Sequence, residues 1–312
     1  MEGRPISRHA GHAVEAEVFE RPQGVDDAVA VRHGRQSVRR LLHNGNVVAG
    51  GAIVLLASVA ALGAPVLAPH DPLDISANRL AGPSGSHLLG TDWLGRDVLS
   101  RILYGARQSL GGAALAGILV LTIGVLVGTV AGFYGGWVDS VLMRLVDLVL
   151  AVPGLVLAFA IAGLFRPGLM AVLLGIVALW WAQYARVVRS LVLQLREQQF
   201  VEAARAVGAG SSRVVFAHIL PNVAPSVIVL VTVRLGRLIL AIAGLNFLGL
   251  GVQAPTPEWA AMLNEARPYF PAFPHLMMAP GLAIAFVVLG MNLLGDGLRD
   301  ALDPGMRARG TP

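Results

Sequence analysis

The 312-residue chain contains no cysteine and no lysine, and only 14% of its residues are charged. Without cysteine there is no disulfide framework, no thiol nucleophile and no thiolate metal site. Without lysine an ordinary Walker A loop is excluded, because that loop needs a lysine to reach the terminal phosphates. Any ATP hydrolysis must therefore come from another subunit. All 24 basic residues are arginine, a bias that codon usage in a GC-rich genome accounts for. Soluble domains carry about 25% charge, so the deficit here is large, and 55% of the residues are hydrophobic. Long apolar runs, each near the ~20 residues that cross a bilayer, make this an all-α integral membrane protein.

Six spans fit, at about 47–68, 109–133, 141–165, 168–191, 223–250 and 276–298. The first begins only after about 45 polar residues, too late for the apolar core of a cleaved signal peptide, so residues 1–45 read as a retained tail, mobile or weakly ordered. Six crossings put both termini on one side. Sixteen arginines fall on that side and six on the other (Arg79, Arg96, Arg101, Arg107, Arg166 and Arg267). The positive-inside rule makes the terminal side cytoplasmic, although the outer stretch 96–107 is itself fairly basic.

Gly124, Gly128 and Gly132 lie four apart on one face of the second span. Such a stripe allows a neighbouring helix to approach closely; the plainer account is that glycine is common, at 37 residues. Arg144 and Asp147, at the start of the third span, read as a mutually neutralising pair, or else as a part of gating. Pro153 is placed to kink that span.

The chain interrupts its apolar pattern at "EAARAVGAGSSRVVFAHILPN", residues 202–222. Phe200, Ala204 and Val207 share one helical face, with Glu202 and Arg205 on another. Gly208 permits a turn that side chains resist. Ser211 or Ser212 is placed to cap a second helix, which Pro221 ends near Leu220. A helix of about nine residues is too short to persist alone, so it must dock, either in a partner's groove or against its own bundle as a connecting loop.

Glu202-Ala203-Ala204, then Gly208, then Ile219-Leu220-Pro221 resembles the EAA loop of ABC importer permeases. "HLLGTDWLGRDVLSRILYGARQSL" (87–110), "MRLVDLVLAVPGLVLA" (143–158), "NFLGLGVQAPTPEWAAML" (246–263) and "NLLGDGLRDALDP" (292–304) are similar to hallmarks of one branch, the second permease of dipeptide, oligopeptide and nickel importers. The likeness covers roughly residues 87–304. The tail and most of the first span are not covered by it. Together with the reading of the apolar runs, the likeness gives a tail (1–45), a first span with its external loop (46–108), a permease core (109–304, with the coupling loop at 193–222) and a short C-terminal tail (305–312). It further implies a multi-pass protein of the bacterial cytoplasmic membrane, surrounded by lipid. The partners implied are a second permease, two cytoplasmic ATPase subunits that bind ATP and Mg, and an external solute-binding protein. Neither nucleic acid nor a cofactor in this chain is expected.

The residues expected to couple to the ATPase are Glu202, Ala203, Ala204, Gly208, Ser212, Arg213, Phe216, His218 and Pro221. None performs bond chemistry, and the chain is not itself an enzyme. Arg234 and Arg237, inside the fifth span, either face a wet pathway or snorkel to the interface; Asn246 joins them as a candidate lining residue. "ILAIAGLNF" (239–247) lacks the acidic residue that peptide members often carry, and "WWAQYARVVRSLVL" (180–193) leans toward the nickel-type members. Imidazole would suit nickel, and His9, His12, His70, His87 and His275 are the candidates. No cluster shows defined ligand spacing, so scattered interface histidines are expected. The Gly-x-Ser-Gly string within "GPSGSH" (82–87) suggests an intramembrane protease, but no intramembrane histidine accompanies it as base. The alternative transport class, an ion-gradient-driven secondary transporter, needs intramembrane carboxylates or broken helices, and Asp147 is the one carboxylate well placed.

Overall fold

The computed structural model describes residues 43–302; the tails expected at 1–45 and 305–312, with His9 and His12, lie almost wholly outside them. All regular elements among the described residues are helical, with one isolated bridge between Thr91 and Asp97 in the loop after the first span. Helix α1 is Gly45–Leu62, followed by a single turn at Ala64–Leu67. Then come α2 (Val98–Tyr134), α3 (Gly136–Ala151), α4 (Gly154–Gly163), α5 (Leu169–Arg196) and α6 (Gln199–Ala206). The last third holds α7 (Leu220–Phe247), α8 (Trp259–Ala266) and α9 (His275–Leu302).

Five helices are long and apolar enough to cross a bilayer, and a bent pair, α3 with α4, makes six when counted as one span. The expected third span is therefore not a continuous helix. Pro153 supplies no N–H and Val152 before it adopts an extended conformation, so the two halves meet at 88°.

Glycine contacts fix the direction of the remaining spans. A Cβ at Gly124 would stand 2.6 Å from the Tyr184 Cβ, one at Gly128 2.5 Å from the Ala185 carbonyl oxygen, and one at Gly132 2.9 Å from the Arg189 oxygen. Residue numbers rise together, so α2 and α5 run parallel. The chain between them must return to the starting level, and α3 with α4 is the only element available to carry it. Gly50 meets Gly290 and Leu294 while Gly297 meets Val47, so α1 and α9 are antiparallel; Gly236 against Asn292 and Gly295 against Val233 make α7 and α9 antiparallel too. Six alternating crossings follow, with residues 44 and 297 side by side. The glycine stripe thus serves close helix packing.

Helix α2 starts eleven residues before its expected span. The Asp97 carboxylate caps it, accepting from the Ser100 N–H at 2.8 Å, and its first turns belong to a folded cap on the side expected to be outer (the outer cap) rather than to the apolar layer. There Arg96 and Arg101 are 1% and 2% exposed. Arg96 Nε donates to Asp92 Oδ2 at 2.7 Å, and both arginines reach Glu265 Oε2 on α8 at 2.9 Å; Arg101 also donates to Asp92. Two of the six arginines expected on the outer side, Arg96 and Arg101, are paired with carboxylates in this way. Glu258 caps α8 and accepts from the Ser109 hydroxyl at 2.6 Å, while the Trp259 indole donates to the Ile102 carbonyl at 2.9 Å. The outer cap and α8 therefore hang on the first three turns of α2.

Asp147 is not paired with Arg144. It accepts from Arg186 of α5 at 2.6 Å.

Candidate functional site

At the end of the bundle where α2 and α5 finish, α6 and residues 207–220 form a compact foot. Helix α6 has eight residues, too few to stand alone. Val201 and Ala204 are buried with Val214 and Ile219 against Phe133 of α2, Val188 and Val192 of α5, and Val223 and Val227 of α7. Full burial of each valine or isoleucine contributes about 1.5–3 kcal/mol, which is what holds the foot in place. The buried pair is Val201/Ala204, so the face shared by Phe200, Ala204 and Val207 is buried only at Ala204. Phe200 and Val207 are exposed, Val207 to 85%. One apolar face therefore seals the bundle while a second apolar set points outward.

Helix α6 ends in a Schellman turn. The Ala209 N–H donates to the Ala204 carbonyl at 3.0 Å and the Gly208 N–H to that of Arg205 at 2.9 Å. Gly208 has φ +83°, and nothing lies within 4 Å of where a Cβ would stand. Its requirement is conformational, not steric crowding.

Two local expectations fail beyond Gly208. Neither Ser211 nor Ser212 caps the next helix; Gly210 occupies that position and no side chain bonds there. Nor does Pro221 stop it. Residues 214–219 form a π-helical turn in which the Leu220 N–H reaches back to the Val215 carbonyl. This wider turn places the N–H-less Pro221 in the first turn of α7, where no backbone donor is demanded of it. The second foot helix and the fifth span are consequently one continuous rod, Ser211–Phe247.

The outward surface of the foot carries Glu202, Ala203, Gly208, Ser212, Arg213 and Phe216, with Phe216 70% exposed. Ala204 faces inward. His218 is half-buried, and its carbonyl accepts from Asn222 Nδ2 at 2.6 Å. The Arg205 guanidinium lies 5.5 Å over the Phe133 ring, pinning α6 to the end of α2.

A second group of polar side chains lies along α5 and α7. Arg234 donates to Gln183 Oε1 at 2.8 Å and sits 5.6 Å over the Tyr184 ring. The Arg186–Asp147 pair is more than half exposed. Next to them the break between α3 and α4 opens a cavity of about 380 Å³ lined by Val152, Pro153, Trp180 and Gln183. Arg237 is exposed one turn beyond Arg234. Asn246 departs from the expectation of a lining residue: it is 2% exposed, and its Oδ1 accepts from the Val252 N–H of its own loop. Gln183 and Arg186 were not foreseen, although their spacing of three in "WWAQYARVVRSL" puts two polar groups on one face of an otherwise apolar helix.

The scattered-histidine expectation also needs correction. His70 and His87 converge on Asp97, with their possible ligand atoms all within 4.8 Å of one another. His70 stands well before the 87–110 stretch that holds His87 and Asp97, so no short-range spacing announced the group.

Comparison with known proteins accords with this architecture. Residues 124–308 match the family "Binding-protein-dependent transport system inner membrane component", and residues 34–83 match "N-terminal TM domain of oligopeptide transport permease C". The dipeptide transport system permease protein DppC of Alkalihalophilus pseudofirmus is 42% identical over 92% of this chain and 95% of its own. The glutathione transport system permease protein GsiD of Pectobacterium atrosepticum is 42% identical over 88% and 92%. The nickel transport system permease protein NikC of Escherichia coli K12 is 45% identical over 81% and 91%. Among solved structures, an inward-facing MetNI methionine ABC transporter aligns with TM-score 0.54 at 18% identity, over 65% of this chain and 97% of that one, a likeness of fold. The six-span bundle, its foot and these relatives together place the chain in the family of binding-protein-dependent inner-membrane permeases, in the peptide, nickel and glutathione branch of the ABC importers.

Proposed function

We propose that the chain forms half of the translocation pathway of an ATP-driven importer. A similar second permease supplies the other half, two ATPase subunits holding ATP and Mg stand beneath the foot on the cytoplasmic side, and an external solute-binding protein delivers the cargo. Both termini are cytoplasmic in this reading. The cargo is a short peptide or a nickel complex, a range bracketed by what the relatives are named for. One observation carries the reading. The foot is sealed to the ends of three spans by one apolar face, yet offers Phe216, Val207 and Glu202 outward, where a separate protein would receive them. Because residues 211–247 form one span, movement at Ser212 is carried toward Arg234 along a single helix, through the π turn at 214–219 and past Pro225. The exposed Asp147–Arg186 and Gln183–Arg234 pairs, beside the cavity at the helix break, form the proposed polar wall of the pathway.

Reconstitution tests this directly. Uptake into vesicles should require the ATPase subunits and ATP inside, and uptake on an ion gradient without them would sink the importer reading. Calorimetry of the cognate binding protein against dipeptides, longer peptides and nickel–chelator complexes decides the cargo. Replacing Glu202 with lysine reverses the charge on the outward face of α6 and should weaken co-purification of the ATPase while membrane insertion stays normal. At Gly208 a β-branched residue must adopt a left-handed conformation costing about 1–2 kcal/mol. Gly208→Val should therefore lower transport about tenfold (the rate equivalent of 1.4 kcal/mol), whereas Gly208→Asn, which tolerates that conformation, should retain most of it. Equal transport by the two variants would remove the turn from the coupling argument.

A further inference from the structure

His70, His87 and Asp97 form a cluster that neither the foot nor the polar wall uses. His87 Nδ1 lies 2.9 Å from Asp97 Oδ1 and His70 Nδ1 3.8 Å from the same oxygen, with the two rings 4.7 Å apart between centroids and inclined by 32°. We propose that this cluster is a binding site for one divalent transition-metal ion of the zinc–nickel class, held by two imidazoles and one carboxylate.

The donor set suits that class, since imidazole favours zinc, copper and nickel over calcium or magnesium. The distances suit it as well. With metal–ligand bonds of about 2.0–2.2 Å, two ligands on one ion stand roughly 2.9–3.5 Å apart. The His87–Asp97 separation already falls in that window, while His70, 3.8 Å from Asp97 and within 4.8 Å of His87, must swing inward by up to about an ångström or a little more to join them. It is free to do so, its side chain being 40% exposed while those of His87 and Asp97 are 15% and 1% exposed. The gradient of exposure matters. Two ligands are anchored in the wall and one swings at the mouth, leaving coordination positions open to water.

The supporting shell is also present. Asp97 Oδ2 accepts from the Ser100 N–H at 2.8 Å and its hydroxyl at 2.7 Å, which fixes the carboxylate plane and leaves Oδ1 to face the imidazoles. The same Ser100 hydroxyl accepts from the His70 N–H at 3.1 Å, so the backbone carrying the mobile ligand is tied to the start of α2. The 2.9 Å hydrogen bond between His87 Nδ1 and Asp97 Oδ1 already aims both atoms at the position that the ion would take. Binding would tie the start of the loop after α1, at His70, to its end before α2, at His87 and Asp97, through one ion.

The test uses the full chain in detergent micelles, purified without a polyhistidine tag, dialysed against Zn²⁺ or Ni²⁺ and analysed for bound metal. One ion per chain is expected, together with a rise in the unfolding midpoint as metal is added. His70→Gln removes the exposed ligand without touching the buried pair and should weaken binding at least about tenfold. His70→Gln/His87→Gln should abolish both binding and the shift, while His9→Gln/His12→Gln should alter neither. The proposal is overturned by any of three results: no metal on the wild-type chain, unchanged binding in His70→Gln, or loss with the tail variant instead. Should the double variant fail to fold, the single His70→Gln titration and the Co²⁺ absorption spectrum of the wild-type chain decide. A spectrum indistinguishable from aqueous Co²⁺ also overturns it. None of these readouts depends on transport, so they stand apart from the importer reading.

Discussion

Arg101→Met should destabilise the chain by about 3 kcal/mol, the low end of what removing one partner from a buried ionic group costs. The substitution leaves Asp92 and Glu265 facing Arg96 alone, two carboxylates against one guanidinium in a pocket with little water. Two features keep the figure from being higher. Glu265 retains some exposure, its side chain being 17% accessible. Arg101 itself is imperfectly satisfied, its Nε and Nη2 being buried without partners, so its removal also relieves a desolvation cost. A double-mutant cycle separates these contributions. Asp92→Asn keeps an oxygen for the Leu94 and Arg96 N–H groups that Asp92 Oδ1 now serves, while removing the excess negative charge. The double variant should therefore lose less than the sum of the singles, by 1 kcal/mol or more on the scale of contacting pairs, roughly 0.5–3 kcal/mol. Unfolding midpoints in detergent give the energies, and limited proteolysis of the outer cap reports where the loss falls. Additive losses would mean that the four charges do not act as a unit.

That quartet also marks the limit of what sequence pattern reveals. The apolar runs displayed five spans well, because a bilayer requires about twenty apolar residues whatever else the fold does. The start of α2 was missed because residues 98–108 mix Ser100, Arg101 and Arg107 with apolar positions, and the lipid criterion rejects such a mixture. Asp97 three residues before Ser100 was a readable cap, but only to a search for helix starts rather than for spans. Within the foot, Gly208 was legible since a positive φ is a local demand. Pro221 misled because its usual reading assumes an α-helical ladder, whereas the π turn at 214–219 relieves the conflict. Arg144 and Asp147 looked like partners at a spacing of three, yet Asp147 takes Arg186 from 39 residues away. His70, His87 and Asp97 follow the same rule. Contacts set by local backbone geometry were readable, and those set by which spans lie side by side were not.

Gly128→Ala is the sharpest test of how those spans lie. The same substitution at an exposed helical glycine should help, because alanine is favoured by about 1 kcal/mol in a helix; Gly111, also in α2 and with nothing within 4 Å of a Cβ, is the matching control. At Gly128 the new carbon would stand 2.5 Å from the Ala185 oxygen, 2.8 Å from the Val188 Cβ and 3.0 Å from the Arg189 nitrogen. Two of these are backbone atoms, which cannot turn aside as a side-chain end can. The helices must separate, and overpacking of this kind costs about 1–3 kcal/mol or more. The expected signs are therefore opposite: a higher unfolding midpoint for Gly111→Ala and a lower one for Gly128→Ala, with the latter near 3 kcal/mol. The consequence extends past stability. Helix α2 is 37 residues long, about 55 Å at 1.5 Å per residue, with Arg101 in the outer cap near one end and Phe133 in the foot cluster at the other. Val188 and Val192 of α5 belong to that same cluster, so parting α2 from α5 loosens the seat of α6. Gly128→Ala should accordingly lose transport even at temperatures where the chain remains folded, and should do so alongside weaker retention of the ATPase subunits. Matched midpoints for the two alanine variants would show that the glycine stripe is not what sets the separation of α2 and α5.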